Sequence, residues 1–289
     1  MVVVIANDGS HSLITLLAGL ITVAAVMGFT MWLAVRKEKL TVVDTAWGLG
    51  FIAVAFVSLF VTGYGDGMPR PQIFLFALVF FWGLRLALHL NNRNAKAGED
   101  PRYQQLAEAD GRTFAQVALR RVFIPQGVAM WLVAFPVMVG MNNEGIGTIQ
   151  GWLGLVVWLV GMFFETVGDW QLASFKRDPD NKGKIMDRGL WQYTRHPNYF
   201  GDACVWWGIW IVAASSWTGL LSIIGPIAMT VFLTRVTGAA LNEKGMRESK
   251  PGYDEYVRRT SGFIPMPPKS RAKTVPQAAD ESAVEEDAS

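Results

Sequence analysis

The fold is decided by stretches such as residues 150–174, QGWLGLVVWLVGMFFETVGDWQLAS, which contain only two charged side chains. A run of about 20 apolar residues is the length that crosses the hydrocarbon core of a bilayer as an α-helix. In that solvent only helices and closed barrels satisfy every backbone N–H and C=O group. The stretch therefore predicts a membrane-spanning helix.

Six further runs of the same kind occur along the chain, and the composition agrees with them. Of the 289 residues, 51% are hydrophobic and only 17% are charged, whereas an ordinary soluble domain is about 25% charged. We therefore predict an all-α polytopic membrane fold with seven transmembrane helices. The predicted spans are 13–35, 41–62, 72–92, 120–140, 150–174, 198–215 and 217–238.

The distribution of Lys and Arg predicts the orientation of these spans. Of the 26 cationic residues, 24 fall in segments on one side of the seven-span arrangement. Cytoplasmic loops carry the excess of Lys and Arg, so the N-terminus is expected outside and the C-terminus in the cytoplasm. The bacterial inner membrane is the expected location. The polar N-terminus lacks the basic region of a cleavable signal peptide, so the first span is expected to be retained.

The chain is expected to form one seven-helix transmembrane domain over residues 1–268, followed by a disordered cytoplasmic tail over 269–289. The last twenty residues are polar, Ala-rich and acidic, without apolar periodicity. A single cysteine, Cys204, excludes an intrachain disulfide, and three His without ligand spacing predict no metal site. The net charge of +2 is small and says little about partners. We expect membrane lipid as a partner, no nucleic acid, and a monomer.

Ionisable side chains within the spans fall on helical faces in the cytoplasmic halves. In the fifth span Glu165, Asp169 and Lys176 share one stripe, because their spacings are four and seven residues. Polar residues within spans usually face a bundle interior or a cavity. The pattern predicts a cavity open to the cytoplasm. The other spans contribute Arg85, His89 and Arg93, then Asn198 and Asp202, then Asp44 and Trp47, and finally Arg235.

Two other interpretations of these charges are open. Interhelical salt bridges, such as Asp169 with Arg85, or Asp44 with Arg85 or Arg93, would need no ligand, and near helix ends that interpretation is as good as a functional one. Snorkelling side chains at the membrane edge are a variant of it. A transport pathway would need polar residues across the whole depth, and the outer halves of the spans are almost purely apolar.

A polar loop precedes the sixth span, in residues 189–202, GLWQYTRHPNYFGD. Pro197 disfavours helix at His196 and suits the first turn of the following helix. Arg195 and His196 are therefore expected at the mouth of the cavity, beside a helix N-terminus that favours anions. Together with cations such as Lys176 and Lys184, this loop predicts a site for a diphosphate.

The motif Arg195-His196-Pro197-Asn198-Tyr199-Phe200-Gly201, with Glu243 and the segment 253–265, resembles the membrane superfamily of steroid 5α-reductases, sterol reductases and isoprenylcysteine carboxyl methyltransferases. Residues 13–268 are most similar to the bacterial steroid 5α-reductase-like proteins, notably at Asp44-Thr45-Ala46-Trp47-Gly48 and Gly168-Asp169-Trp170-Gln171. The resemblance implies a seven-helix reductase that binds NADPH in a cytoplasm-facing cavity. Its substrate would be a hydrophobic small molecule that enters from the bilayer.

The resemblance also implies roles for individual residues. Hydride transfer to an enone leaves negative charge on the carbonyl oxygen, which needs a hydrogen-bond donor. The 5α-reductases use a Glu and a Tyr on the second and third helices, for which the candidates here are Asp44, with Trp47 beside it, and His89. The implied cofactor contacts are Glu165, Asp169, Lys176, Lys184, Asn198, Asp202 and Arg235, to which the loop adds Tyr193, Arg195 and His196.

The sequence thus predicts NADPH-dependent reduction of the C4=C5 double bond of a 3-oxo-Δ4 steroid or a similar hydrophobic enone. An S-adenosylmethionine-dependent methyltransferase of the isoprenylcysteine type is the first alternative, because those enzymes share the Arg-His-Pro motif. A sulfonium needs carboxylates and aromatic rings, and both are present here. A membrane transporter or a non-catalytic scaffold is the second alternative.

Overall fold

The computed structural model describes residues 2–63, 70–96, 113–236 and 238–269. Its long helices coincide with the seven predicted apolar runs, and two short helices follow them. The helices are α1 (Val2–Lys37), α2 (Val42–Gly63), α3 (Arg70–Lys96), α4 (Phe114–Gly140), α5 (Thr148–Arg177), α6 (Pro197–Ala213), α7 (Trp217–Val236), α8 (Ala239–Ser249) and α9 (Tyr253–Arg259).

Six of the described helices are long and apolar enough to cross a bilayer, namely α1 from Ser12 onward, α2, α3, α4, α5 and α7. The all-α membrane class is therefore confirmed, and the chain is an integral membrane protein. The predicted count of seven is not fully met, because α6 has 17 residues and is only about 26 Å long at 1.5 Å per residue. Apart from Lys269, the predicted tail lies outside the described residues.

Two of the spans are locally widened at the end nearest the polar residues. α4 contains a π-helical turn at Ala118–Phe123, and α7 ends in another at Phe232–Val236. π-turns are rare and occur frequently at functional sites. In α7 the turn brings Thr234 to the wall of a cavity described below.

The centre of the bundle is aromatic where α2, α3 and α6 meet. Phe51, Trp82 and Trp206, here called the aromatic triad, are almost completely buried. Their ring centroids are 5.4 Å apart for Phe51 and Trp82, 4.6 Å for Phe51 and Trp206, and 5.1 Å for Trp82 and Trp206. The last pair meets edge to face at 84°, an arrangement that aromatic quadrupoles favour. The triad fixes the three helices against one another.

Glycines let the backbones of α5 and α6 approach more closely than residues with a Cβ atom would allow. A Cβ atom added to Gly161 would lie 2.6 Å from the carbonyl oxygen of Gly201, and one added to Gly208 would lie 2.7 Å from that of Gly154. Backbones in membranes pack this closely only through small residues. This glycine seam holds the polar residues of α5 beside those of α6.

A second close approach joins α2 to α3. A Cβ atom on Gly83 would lie 2.7 Å from the carbonyl oxygen of Gly48, and one on Gly48 would lie 2.9 Å from the backbone nitrogen of Ala87. The backbones again leave no room for a side chain. The bundle therefore contains two tightly joined helix pairs, α2 with α3 and α5 with α6.

Candidate functional site

Arg85 of α3 is the centre of a buried polar cluster between the two helix pairs. Its guanidinium forms ion pairs with Glu165 and Asp169, one turn apart on α5, and also donates to the backbone oxygen of Glu165 at 3.0 Å. The planar fork of Arg suits such multiple contacts. The interhelical salt bridge between Asp169 and Arg85 is therefore present, and the buried charges of α5 are partnered.

Asn198 and Asp202, one turn apart on α6, complete the cluster. Asn198 Nδ2 donates to Asp169 Oδ1 at 3.0 Å, and Asp202 is only 8% exposed. The Oδ1 atoms of both residues have no hydrogen-bond partner among the residues that the structure describes. A buried acceptor without a donor costs about 1–3 kcal/mol. These two oxygens therefore mark a position where donors of a ligand would be stabilised.

The cluster holds more carboxylates than permanent cations. Glu165, Asp169 and Asp202 all interact electrostatically with the one guanidinium of Arg85. His89 Nε2 lies 3.5 Å from Asp169 Oδ2, but an imidazole adds positive charge only when it is protonated. With its carboxyl oxygens and two unpartnered acceptors, the cluster therefore suits hydrogen-bond donors better than phosphate.

Trp82 connects the cluster to the aromatic triad. Its Nε1 donates to Glu165 Oε2 at 3.1 Å, and its ring packs on Phe51 and Trp206. Buried indole N–H groups usually find such a partner. Polar and apolar walls of the candidate site are thus built on adjoining turns of the same helices.

Asp44 and Trp47, two of the three residues predicted to act on the substrate, make contacts between helices. Asp44 Oδ2 accepts hydrogen bonds from Arg93 Nη2 at 2.9 Å and Asn94 Nδ2 at 3.2 Å. Asp44 Oδ2 therefore acts as an acceptor toward two residues of α3. Trp47 Nε1 donates to Gln126 of α4. The geometry matches the alternative in which Asp44 joins α2 to α3.

Arg195 is directed at the protein itself rather than at an open anion site. Its Nε and Nη2 donate to the two carboxylate oxygens of Glu243 at 2.9 and 3.2 Å, and its Nη1 donates to the carbonyl oxygens of Val257 and Thr260 at 3.2 and 2.7 Å. His196 Nε2 lies 2.9 Å from Glu243 Oε1. We call Arg195, His196 and Glu243 the clamp. It ties the loop before α6 to α8.

The charge of Glu243 is well stabilised within the clamp. Burial raises the pKa of this carboxyl, but hydrogen bonds from His196 and Arg195 outweigh burial and lower the pKa to about 2. Hydrogen bonding to the charged form of a carboxyl has this effect in general. Glu243 was quoted from the sequence only as part of a motif, and its contact with both predicted anion-binding residues comes from the structure.

The segment after α9 covers the same loop. Tyr256 Oη donates to the carbonyl oxygen of Trp191 at 2.6 Å, and Thr194 Oγ1 donates to that of Phe263 at 2.8 Å. Met266 N donates to the carbonyl oxygen of Tyr193 at 3.0 Å, while the Tyr193 side chain is exposed. A cavity of about 250 Å³ lies beside the clamp, and its lining is Arg195, Thr234, Ala239, Glu243, Gly262 and Phe263.

The predicted site residues therefore fall into three groups. Around Arg85 the structure brings together His89, Glu165, Asp169, Asn198 and Asp202. In the clamp lie Arg195 and His196, whereas Asp44 and Trp47 lie in the α2–α3 and α2–α4 contacts. At the exposed surface lie Lys176, Lys184, Tyr193 and Arg235. No group of three or more His, Cys, Asp or Glu in the described ranges is arranged to hold a metal ion.

A family described as a protein of unknown function, DUF1295, matches residues 30–260 of the chain. The chain belongs to the DUF1295 family. This match covers the clamp, the cluster around Arg85 and all seven long helices in whole or in part. The predicted membership in a steroid 5α-reductase-like group is consistent with it and is supported by the relatives below.

Several curated proteins resemble parts of this DUF1295 chain. It is 38% identical over 78 residues to the steroid 5-alpha-reductase DET2 of Gossypium hirsutum, which is 27% of this chain and 30% of that protein. It is 29% identical over 112 residues to the 3-oxo-5-alpha-steroid 4-dehydrogenase 1 of Bos taurus, which is 38% of this chain and 41% of that protein. The chain thus matches less than half the length of these relatives. No solved structure gives a significant match.

Proposed function

We propose that the chain is an NADPH-dependent reductase that saturates the C4=C5 double bond of a 3-oxo-Δ4 steroid or a similar hydrophobic enone. The observation that carries the proposal is the pair of unpartnered buried acceptors, Asn198 Oδ1 and Asp202 Oδ1, in a cluster of three carboxyl groups around one guanidinium. The names of the distant relatives, steroid 5-alpha-reductase and 3-oxo-5-alpha-steroid 4-dehydrogenase, support the reaction class.

The cluster fits the nicotinamide end of NADPH. A primary carboxamide carries two N–H donors, and the two unpartnered oxygens lie one turn apart on one face of α6. The surplus of carboxylates around Arg85 would also stabilise the positive charge that the ring carries after oxidation. Asn198 and Asp202 would therefore hold the carboxamide, and Glu165 and Asp169 would set the local charge.

The phosphates of the cofactor belong outside the cluster, because its carboxylates would repel them. Lys176 lies two helical turns beyond Asp169 at the end of α5, and its side chain is exposed. Lys184 in the following loop and Arg235 at the end of α7 are exposed as well. These three cations would hold the diphosphate and the 2′-phosphate, as point charges or through a guanidinium fork.

NADPH, when bound, supplies a hydride to the β-carbon of the enone. The chain must then hold the ring in position, exclude water and stabilise the negative charge that develops on the carbonyl oxygen. The aromatic triad is almost completely buried next to the cluster, and it would form a dry wall if a substrate separated these helices. A hydrophobic substrate would reach this wall from the bilayer, which is the solvent in which steroids concentrate.

Ligand binding and turnover test the proposal together. We expect isothermal titration of the purified protein in detergent to show tighter binding of NADPH than of S-adenosylmethionine. We also expect loss of NADPH absorbance when a 3-oxo-Δ4 steroid is added. The matched control is the corresponding 5α-saturated 3-oxo steroid, which has no double bond to reduce. Affinity for the methyl donor alone, without NADPH oxidation, would end the reductase proposal.

A methyltransferase that uses S-adenosylmethionine is the second candidate, and the surplus of carboxylates favours it specifically. A sulfonium is a cation that carboxylates and aromatic faces stabilise, and Glu165, which is ion-paired with Arg85, lies beside the indole of Trp82. This candidate leaves the exposed cations Lys176, Lys184 and Arg235 without a ligand. Replacing these three by Gln should weaken NADPH binding in the reductase but leave binding of the methyl donor unchanged in the methyltransferase.

A further inference from the structure

Trp206 of α6 is completely buried, and its indole N–H has no acceptor among the described residues. The indole of Trp158 on α5 is the other buried one without an acceptor there. Buried polar groups are normally paired because an unmade hydrogen bond is costly. Six other indoles each donate to an oxygen atom, namely Trp47, Trp82, Trp131, Trp191, Trp207 and Trp210.

The indole N–H of Trp206 lies on the same face of α6 as the polar residues of the cluster. Asn198, Asp202 and Trp206 follow one another at intervals of four residues, which places them on one face of α6. The two unpartnered acceptors therefore lie on the first turns of the helix, and the unpartnered donor lies one turn beyond them. Trp206 is held rigidly by ring contacts at 4.6 Å with Phe51 and 5.1 Å with Trp82.

The donors predicted from the sequence have partners of their own. Asp44 accepts hydrogen bonds from Arg93 and Asn94, and Trp47 donates to Gln126. His89 Nε2 lies beside the carboxylate of Asp169. A neutral, rigid and dry N–H is better suited to a developing oxyanion, because a preorganised donor in an apolar site needs no reorientation during the reaction.

We propose that the Nε1–H group of Trp206 donates the hydrogen bond to the carbonyl oxygen of the enone. The inference rests on the proposed reductase function and adds a catalytic residue to it. The β-carbon receives a hydride from the dihydronicotinamide, which is thereby oxidised, while the π electrons of the C=C bond move toward the carbonyl oxygen. Trp206 stabilises that charge until the α-carbon takes a proton derived from water.

Removal of the donor tests the inference. In Trp206→Phe, single-turnover hydride transfer with saturating NADPH should fall by about 10²-fold or more, while NADPH affinity stays at the value of the parent protein. The matched control is Trp158→Phe, because Trp158 of α5 is also buried with an unpartnered indole N–H but lies outside the aromatic triad. That variant should retain the rate of the parent.

A folded Trp206→Phe protein that reduces the enone at the parent rate would overturn the inference. The parent protein allows a second test that does not depend on the variant folding. The indole N–H band in ultraviolet resonance Raman spectra should show a new hydrogen bond when a saturated 3-oxo steroid binds, but not when its analogue without the 3-oxo group binds. Identical difference spectra for the two ligands would exclude Trp206 as the donor.

These outcomes are distinguishable from failure of the reductase proposal itself. That proposal fails if the parent protein neither binds NADPH nor oxidises it in the presence of an enone. The Raman comparison needs no NADPH and no turnover. It therefore reports on Trp206 and the ketone alone.

Discussion

At the scale of single residues, Arg85 forms ion pairs with two buried carboxylates, Glu165 and Asp169. Arg85→Met would leave Glu165 and Asp169 buried without their cation, and breaking a buried ion pair on one side costs about 3–5 kcal/mol. We expect a strongly lowered unfolding temperature in detergent, measured by intrinsic fluorescence. NADPH binding should be lost with it.

A surface pair provides the control for Arg85. The side chains of Arg247 and Asp254 are 51% and 67% exposed in their pair, and exposed ion pairs contribute about 0–1 kcal/mol. Arg247→Met should therefore unfold close to the parent temperature. An equal fall in unfolding temperature in both variants would show that burial does not determine how much the Arg85 contacts stabilise the protein.

Replacing Asp202 should change stability and ligand binding in opposite directions. It is buried among carboxylates, and its Oδ1 accepts no hydrogen bond from the described residues. Asp202→Leu replaces a buried ionisable group by an apolar side chain, so the unfolding temperature should rise. The same change should weaken NADPH binding by about 1–3 kcal/mol, because both oxygens that could accept from the carboxamide are lost. Unchanged NADPH affinity in the stabilised variant would remove Asp202 from the cofactor site.

Glu243 should give the clamp a pH dependence. Its pKa is lowered from 4.5 to about 2 in the folded protein, so its stabilising effect is present above pH 4.5 and is lost as the pH falls toward 2. We expect the parent to unfold at a higher temperature than Glu243→Gln at pH 6. The difference should shrink steadily between pH 4.5 and pH 2, and a constant difference would contradict this assignment.

The contacts of the predicted site residues follow from the sequence only in part. The cluster around Arg85 follows from helical spacing, because residues four apart share a face whatever lies opposite them. The role of Arg195 does not follow, because a cation beside a helix N-terminus looks the same whether its partner is a phosphate or a carboxylate. Here the partner is Glu243, 48 positions along the chain.

At the scale of helices, the glycine seam makes a sharp prediction. Gly161→Ala places a methyl group against the backbone of α6, and overpacking of this kind costs about 1–3 kcal/mol. We expect a lower unfolding temperature and weaker NADPH binding, because α5 and α6 would be pushed apart at the cluster. Gly28→Ala in α1 is the control, since no atom lies within 4 Å of the added Cβ.

The apolar spans were predicted closely because hydrophobic length is a local property of the sequence. α6 is the exception, since the run 198–215 continues past the point where the helix ends at Ala213. The π-turns of α4 and α7 have no local signature and depend on packing. In the sequence the seam is visible only as glycines seven residues apart. The neighbouring residues do not indicate which helix these glycines contact.

At the scale of the whole molecule, the orientation in the membrane remains to be tested. The excess of Lys and Arg on one side predicts the C-terminus in the cytoplasm. A green fluorescent protein fused after Ser289 should fluoresce, and alkaline phosphatase fused at the same position should be inactive. The reverse pattern would place the cluster, the clamp and the exposed cations at the outer face. A phosphatase fusion within the 141–147 loop is the control and should be active.

The two glycine contacts join four of the seven long helices into two pairs. We expect α2 with α3 and α5 with α6 to move as two rigid units, here called plates, because their backbones are in close contact at the glycines. Between the plates the described joint consists mainly of the Arg85 ion pairs and the aromatic triad. We call this joint the hinge. A molecule that competes with Arg85 for Glu165 or Asp169 would therefore weaken the hinge directly. If NADPH binds there as proposed, cofactor exchange would require the two plates to separate, and the off-rate of the nucleotide would measure the stiffness of that hinge.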